Sequence, residues 1–302
     1  SQQKKKKKGH LPVSSTLEAR KTVHSLAKMF FKDIGKAASD FVSKDFPTQH
    51  KVEVTSKPKC CTEVKVSSAY SGDSTKVTVE PKYVCKDWNL ELTANVDTAN
   101  NFKVSGNVAD KLAEGLKTSV EFAASDSQQV TAGLEYKTEG MSAKADFIFP
   151  SNNKTAANFG LVFQKNEFAV GVEAKANLSS EPSVASVSGG LQYKKPDFTG
   201  AFFVRSKGDA LSVEASYLHS LKCCTLVTAG KYSVNDARTC LGFGWAKKLE
   251  DGSTFKTLFC SDGSLSASYK HTLSSNASFT AGSKINTQTM AAQVGVNLAL
   301  NI

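Results

Sequence analysis

From Thr22 to Ala38, apolar residues recur at helical spacing (Val23, Leu26, Ala27, Phe30, Phe31, Ile34, Ala37 and Ala38), and Phe41 and Val42 extend that face by another turn. Lys28, Lys32, Lys36, Asp40 and Lys44 occupy the other face. Pro47 stops the pattern, and Gly35 in its middle leaves two forms open, one bent helix or two helices. After Pro47 the period changes from 3.6 to 2 and stays there to the C-terminus. Alternation begins at Val52/Val54, Val64/Val66, Val77/Val79 and Leu90 to Val96, continues through segments such as Phe159/Leu161/Phe163 and Phe168/Val170/Val172, and ends at Met290 to Leu300. This predicts nineteen strands of about 8 to 13 residues. Short turns rich in Gly, Asn, Asp and Ser ("SGD", "DTANN", "SVNDA", "EDGS") join them, the spacing of an all-antiparallel meander of hairpins. So long a meander is expected to close or to split into packed sheets, and closure is the simpler outcome. A barrel of that size is too wide for its own side chains to fill, which leaves a lumen.

Alternation alone leaves two orientations open: apolar side chains outward into lipid around a polar lumen, or the reverse in a soluble carrier. Tilted strands of about ten residues suit a hydrocarbon core, and Tyr, Phe and Trp near strand ends suit interfacial girdles, which favours a membrane barrel. Composition supports a folded chain, with 302 residues, 40% hydrophobic and 22% charged. No window of 18 apolar residues occurs, which argues against a transmembrane helix but not against a barrel. "SQQKKKKKGH" lacks the apolar core of a secretory signal, so the sequons at Asn153, Asn177 and Asn276 are not expected to be used.

The net charge of +10 is uneven: eleven basic and four acidic residues up to Phe46 leave +7 there and +3 beyond. The body shows no basic face with interleaved aromatics, so no nucleic-acid partner is expected; the Lys4 to Lys8 run reads as a solvated tail able to touch RNA or anionic lipid. No metal or cofactor is expected. The seven cysteines, including Cys60-Cys61 and Cys223-Cys224, lack metal-binding spacing, and the five histidines have no visible catalytic partners. "GFGWAK" lies in a strand pattern with no helix after it, unlike a dinucleotide fingerprint.

"FKDIGKAASDFVSKDF" is similar to the N-terminal helix of the mitochondrial porins, the voltage-dependent anion channels, whose core D-[LI]-G-K-x-A-x-D is matched by Asp33, Ile34, Gly35, Lys36, Ala38 and Asp40. "NVADKLAEGLKTSVEF" resembles the family segment ending in Gly-Leu-Lys, here Gly115, Leu116 and Lys117. From Leu226 onward, "LVTAG", "TCLGFGWAKKL", "SLSASYKHTL" and "VGVNLAL" follow in family-like order and spacing. The likeness begins near Phe31 and is weak in the middle third of the chain.

The resemblance implies an all-β, 19-stranded transmembrane barrel with an amphipathic helix folded into its lumen. The organisation expected is a basic flexible extension over 1–21, an amphipathic helical segment over 22–46 and the barrel over 47–302. The implied function is voltage-dependent, weakly anion-selective diffusion of ATP, ADP, phosphate and small ions across the mitochondrial outer membrane. Lys32, Lys36, Lys44 and Lys117 are the implied nucleotide or anion contacts, and Ile34 and Phe41, with Phe31, would pin the helix to the wall. Because the barrel body is nearly neutral, the positive field in the narrowest part is expected to come largely from the helix. Implied partners are membrane lipids, the transported nucleotides and inorganic anions, and a second copy or an assembly partner met through the N-terminal extension.

Two positions depart from the family. Ala94 stands where several animal members carry a lipid-facing glutamate tied to hexokinase and dimer behaviour, and Ser39 stands where a basic helix residue is common. Two other functions remain open: the protein-import channel of the outer-membrane translocase, which would want an acidic lumen track, and a non-conducting structural porin of a larger assembly.

Overall fold

The computed structural model describes residues 29–302 apart from 59, 60, 73, 126, 153 and 180. The expected extension and the first part of the expected helix, residues 1–28, therefore lie outside the described residues. Within them the segment is two short helices. A 3-10 turn, Phe31–Asp33, is followed by α1, Lys36–Ser43, and the break falls at Ile34 and Gly35. Ile34 is extended, and Gly35 takes the left-handed region at φ 66°. Only glycine adopts that conformation freely, which is why the helix breaks here. The helical period predicted up to Phe46 ends earlier, at Ser43, because Lys44 turns extended and Asp45 turns left-handed at φ 65°.

Nineteen strands follow among the described residues. The first half comprises β1 (His50–Ser56), β2 (Thr62–Ser71), β3 (Ser74–Cys85), β4 (Leu90–Asp97), β5 (Phe102–Ala109), β6 (Leu116–Ala124), β7 (Gln128–Lys137), β8 (Met141–Pro150), β9 (Ala156–Lys165) and β10 (Phe168–Asn177). The second comprises β11 (Ser183–Lys194), β12 (Phe198–Lys207), β13 (Ala210–Ser220), β14 (Thr225–Ser233), β15 (Arg238–Lys248), β16 (Thr254–Cys260), β17 (Ser264–Ser274), β18 (Ala277–Asn286) and β19 (Ala292–Asn301). Met290, expected at the head of the last strand, lies before it in the left-handed region at φ 55°.

Each strand pairs antiparallel with the next, and the sheet closes through β1 and β19. That last pair is parallel, from Lys51 opposite Asn297 to Thr55 opposite Asn301. The expected all-antiparallel order fails at this one seam for a reason of arithmetic: in a meander of odd number the first and last strands run the same way.

The register fixes which side chains share a face. Val52 and Val54 sit beside Leu298 and Leu300 across the seam, and Val66 and Val79 continue the row. Large apolar residues on this face stay open, with Phe163 55% and Val170 51% exposed, far more apolar surface than a water-soluble protein tolerates. Phe168, Tyr193, Phe198 and Tyr217 form a chain of ring contacts, with centroids 4.6, 5.4 and 6.0 Å apart, across the same ends of β10 to β13. Such a band of aromatics at one rim suits a membrane interface. Apolar residues therefore point to lipid and polar ones to the lumen, the orientation that alternation by itself left undecided.

Candidate functional site

Because the barrel is too wide to fill, the buried apolar cluster among the described residues forms where the N-terminal segment lies on the inner wall. Phe31 and Ile34 are buried with Val162 of β9, Ala169 of β10, and Ala201 and Phe203 of β12. Phe31 meets Phe203 edge to face at 6.0 Å. Glycines on the inner wall make this approach possible: a Cβ at Gly171 would lie 2.9 Å from Val162 and 3.0 Å from both Ile34 and Phe31. Further round, a Cβ at Gly244 would meet Phe41 at 2.8 Å, and one at Gly282 would meet the ring and backbone of Pro47. The wall thus carries a shallow track shaped to this segment.

Polar side chains of the wall complete the attachment. The Gly35 N–H donates to Gln192 Oε1 at 2.7 Å, and the Met29 N–H donates to Gln164 Oε1 at 3.3 Å. Ser142, itself buried, donates its hydroxyl to the Met29 carbonyl. At the other end the Lys256 ammonium donates to the Lys44 carbonyl at 2.7 Å.

Between α1 and strands β12 to β16 lies a cavity of about 590 Å³, open to the lumen and lined by Lys32, Lys36, Arg205 and Lys231, with Asp40 and Glu214 among the remaining groups. Arg205 and Lys231 both reach Glu214, each at 3.1 Å, so one carboxylate answers two cations. On the far wall, ions are paired along the strands: Lys51 and Lys65 on Glu53 at 2.7 and 2.8 Å, Lys76 on Asp97 at 2.8 Å, Lys82 on Glu91 at 2.9 Å, and Lys103 on Glu121 at 2.8 Å.

The structure brings Lys32, Lys36, Asp33, Gly35 and Asp40 together at the helix, whereas Lys117 lies apart on β6. There Gly115, at φ 78°, makes the turn before Leu116, and its N–H donates to Asp110 Oδ1 at 2.7 Å. The expectation that the helix supplies the positive field is corrected. Lys36 pairs with Asp33 at 3.4 Å and Lys44 with Asp40 at 2.9 Å, and Asp45 balances Lys32 in number, so the described segment is neutral as a whole. The surplus of positive charge stands on the helix-bearing wall: Arg205 and Lys231 outnumber Glu214, and Lys256 and Lys284 enter no ion pair among the described residues. Phe41 packs on Gly244, and Ala94 sits opposite Val104 on the lipid face.

The profile of the eukaryotic porin family matches residues 29–295. The chain belongs to that family. Among similar proteins, the "Mitochondrial outer membrane protein porin of 36 kDa" of Solanum tuberosum is 26% identical over 275 residues, covering 89% of this chain and 97% of its own length. The "Mitochondrial outer membrane porin" of Triticum aestivum is 25% identical over 274 residues with the same coverage. The "Mitochondrial outer membrane protein porin" of Neurospora crassa is 28% identical over 218 residues, 69% of this chain and 74% of its own. This porin is a pore-forming protein of the mitochondrial outer membrane.

Arg205, Lys231, Lys256, Gln192 and the wall glycines escaped the sequence reading. A signal for the glycines was present: an isolated glycine inside an alternating strand marks a close approach of backbone or ligand.

Proposed function

We propose that this porin is a voltage-dependent, weakly anion-selective diffusion channel for ATP, ADP, phosphate and small ions. The observation that carries the reading is the cavity between helix and wall, where the charged lining residues are Lys32, Lys36, Arg205 and Lys231 against Asp40 and Glu214. A wide aqueous pore selects by field and not by tight fit, and an arc of excess cations raises the local concentration of anions. Phosphate groups meet Lys as a point charge and Arg as a planar fork, giving weak contacts suited to fast passage. Lys117 adds a further cation on β6 away from that cavity, and Lys44, tied to Asp40, contributes less. Lipids cover the outer face, and the N-terminal extension offers a contact for a second copy or an assembly partner.

The reversal potential of the reconstituted protein in planar bilayers under a salt gradient tests this. Anion preference is expected, with a larger loss from Arg205→Glu and Lys231→Glu together than from Lys36→Glu. Cation preference with block by basic peptides would favour an import channel, and absence of conductance would favour a structural subunit.

A further inference from the structure

Lys256 is a lysine on the inner wall of a water-filled barrel, yet only 6% of it is exposed. Lumen water is within reach of most wall lysines, which snorkel their ammonium groups into it. This one turns the other way. Its Nζ donates to the Lys44 carbonyl at 2.7 Å, one residue past the end of α1, and lies 4.5 Å from the Phe41 ring centre and 4.6 Å from that of Phe46. Among the described residues no carboxylate lies within ion-pair distance of it; the charged groups whose field acts on it are Asp45, Lys270 and Asp40, and Lys270 itself pairs with Asp45 at 3.6 Å.

We propose that Lys256 is the positioning residue of the pore helix, locking its C-terminal end and the reversal at Lys44 to Phe46 onto β16. Three contacts converge on one cation. The carbonyls at a helix C-terminus lack intrahelical partners and carry negative partial charge, so an ammonium there is favoured. Two aromatic faces attract the same ammonium, the more strongly because water is excluded. Phe41 belongs to the last turns of α1 and Phe46 lies beyond the left-handed Asp45, so the lysine grips the chain on both sides of its bend. The N-terminal end of the segment is held otherwise, by Phe31 and Ile34 in the glycine track and by Gln192. A released helix returns the ammonium to lumen water, and this rehydration offsets part of what the contacts contribute. The lock is therefore a reversible one, and Lys256 sets how often the C-terminal half leaves the wall.

The proposal rests on the pore reading for its electrical readout alone. The full chain in liposomes is digested with endoproteinase Lys-C, and cleavage after Lys44 is followed by mass spectrometry against cleavage at the rim lysines Lys86 and Lys222, in the turns after β3 and β13. Lys256→Met keeps the apolar stem and removes the cation. It is expected to speed cleavage after Lys44 roughly tenfold or more, the change expected on losing a hydrogen bond from a charged donor. Rim cleavage stays as in the wild type, and Lys256→Arg restores slow cleavage. In bilayers the same Met variant shows frequent sub-conductance steps that the Arg variant lacks. Equal cleavage after Lys44 in wild type and Lys256→Met overturns the proposal. Should the Met variant fail to assemble, Phe46→Leu leaves the lysine in place and removes one ring; cleavage after Lys44 must then exceed the wild-type rate, and a wild-type rate overturns the proposal too. A wild-type barrel without conductance would refute the pore reading and leave the cleavage result standing.

Discussion

Gly189 and Gly190 are neighbours on β11 that face opposite sides of the wall, and a single methyl group added to each separates the lumen from the lipid. A Cβ at Gly190 would stand 2.9 Å from Cδ1 and Cε1 of Phe203 and 3.2 Å from Cε2 of Phe31, whereas a Cβ at Gly189 meets nothing within 4 Å. Phe203 cannot simply rotate away. It is buried, lies edge-on to Phe31 and carries the Arg205 guanidinium 4.6 Å above its ring. Carbon atoms rest comfortably at about 3.5 to 4 Å, so the rings must retreat by roughly 0.5 to 1 Å. Overpacking of this kind costs about 1 to 3 kcal/mol. The β11 ladder is held on both sides by β10 and β12, so the strain is relieved by lifting the Phe31 segment from the wall. At about 1.4 kcal/mol per decade, the docking equilibrium shifts by roughly 5- to 150-fold. Gly189→Ala meets no neighbour, and alanine in a strand interior is favoured over glycine by about 0.5 to 1 kcal/mol, so it leaves docking alone and slightly stabilises the barrel. Lys-C cleavage after Lys36 in liposomes reads the undocked fraction, with heat resistance of the barrel as the control. Equal cleavage in the two variants, or faster cleavage in Gly189→Ala, would refute the idea that inner-wall glycines hold the helix.

Two further outcomes follow from the same contacts. Gln192→Leu removes the acceptor for the buried Gly35 N–H and should destabilise the docked segment by about 1 to 3 kcal/mol, read as faster cleavage after Lys36 with an unchanged β-sheet circular dichroism spectrum; unchanged cleavage would show that the bend at Gly35 stands without it. In the turns after β15 and β16, Asp251 and Asp262 accept hydrogen bonds from Ser253 and Ser264, which hold both carboxyls below the usual carboxylate range, and the Lys284 ammonium acts in the same direction on Asp262. A lowered folded-state pKa contributes stability above the ordinary carboxylate value of about 3.9, and that contribution fades as the pH falls through the folded value. Amide exchange at Ser253 and Ser264 should accelerate on acidification relative to Asp251→Asn and Asp262→Asn; parallel profiles would remove the carboxylates from the account.

The barrel was legible in the sequence because strand period is a local property. One side chain in two faces each way, so Val52/Val54, Phe168/Val170/Val172 and the other alternating runs mark nineteen strands without reference to any partner. The break at Gly35 was legible for a similar reason, since glycine tolerates a left-handed backbone wherever it stands. What faces what is a different kind of fact. Closure through a parallel β1–β19 seam, and the choice of lipid for the apolar face, come from pairing across more than two hundred residues of chain. The source of the positive charge was misjudged for the same reason. Net charge by segment points to the helix, but Asp33 reaches Lys36 across the bend and Asp40 reaches Lys44 along α1, which cancels both lysines, while Arg205, Lys231 and Lys256 come from strands whose summed charge is close to neutral. Local periodicity writes the elements into the sequence; only the closed barrel decides which charges share water and which lysine turns from that water to hold the helix.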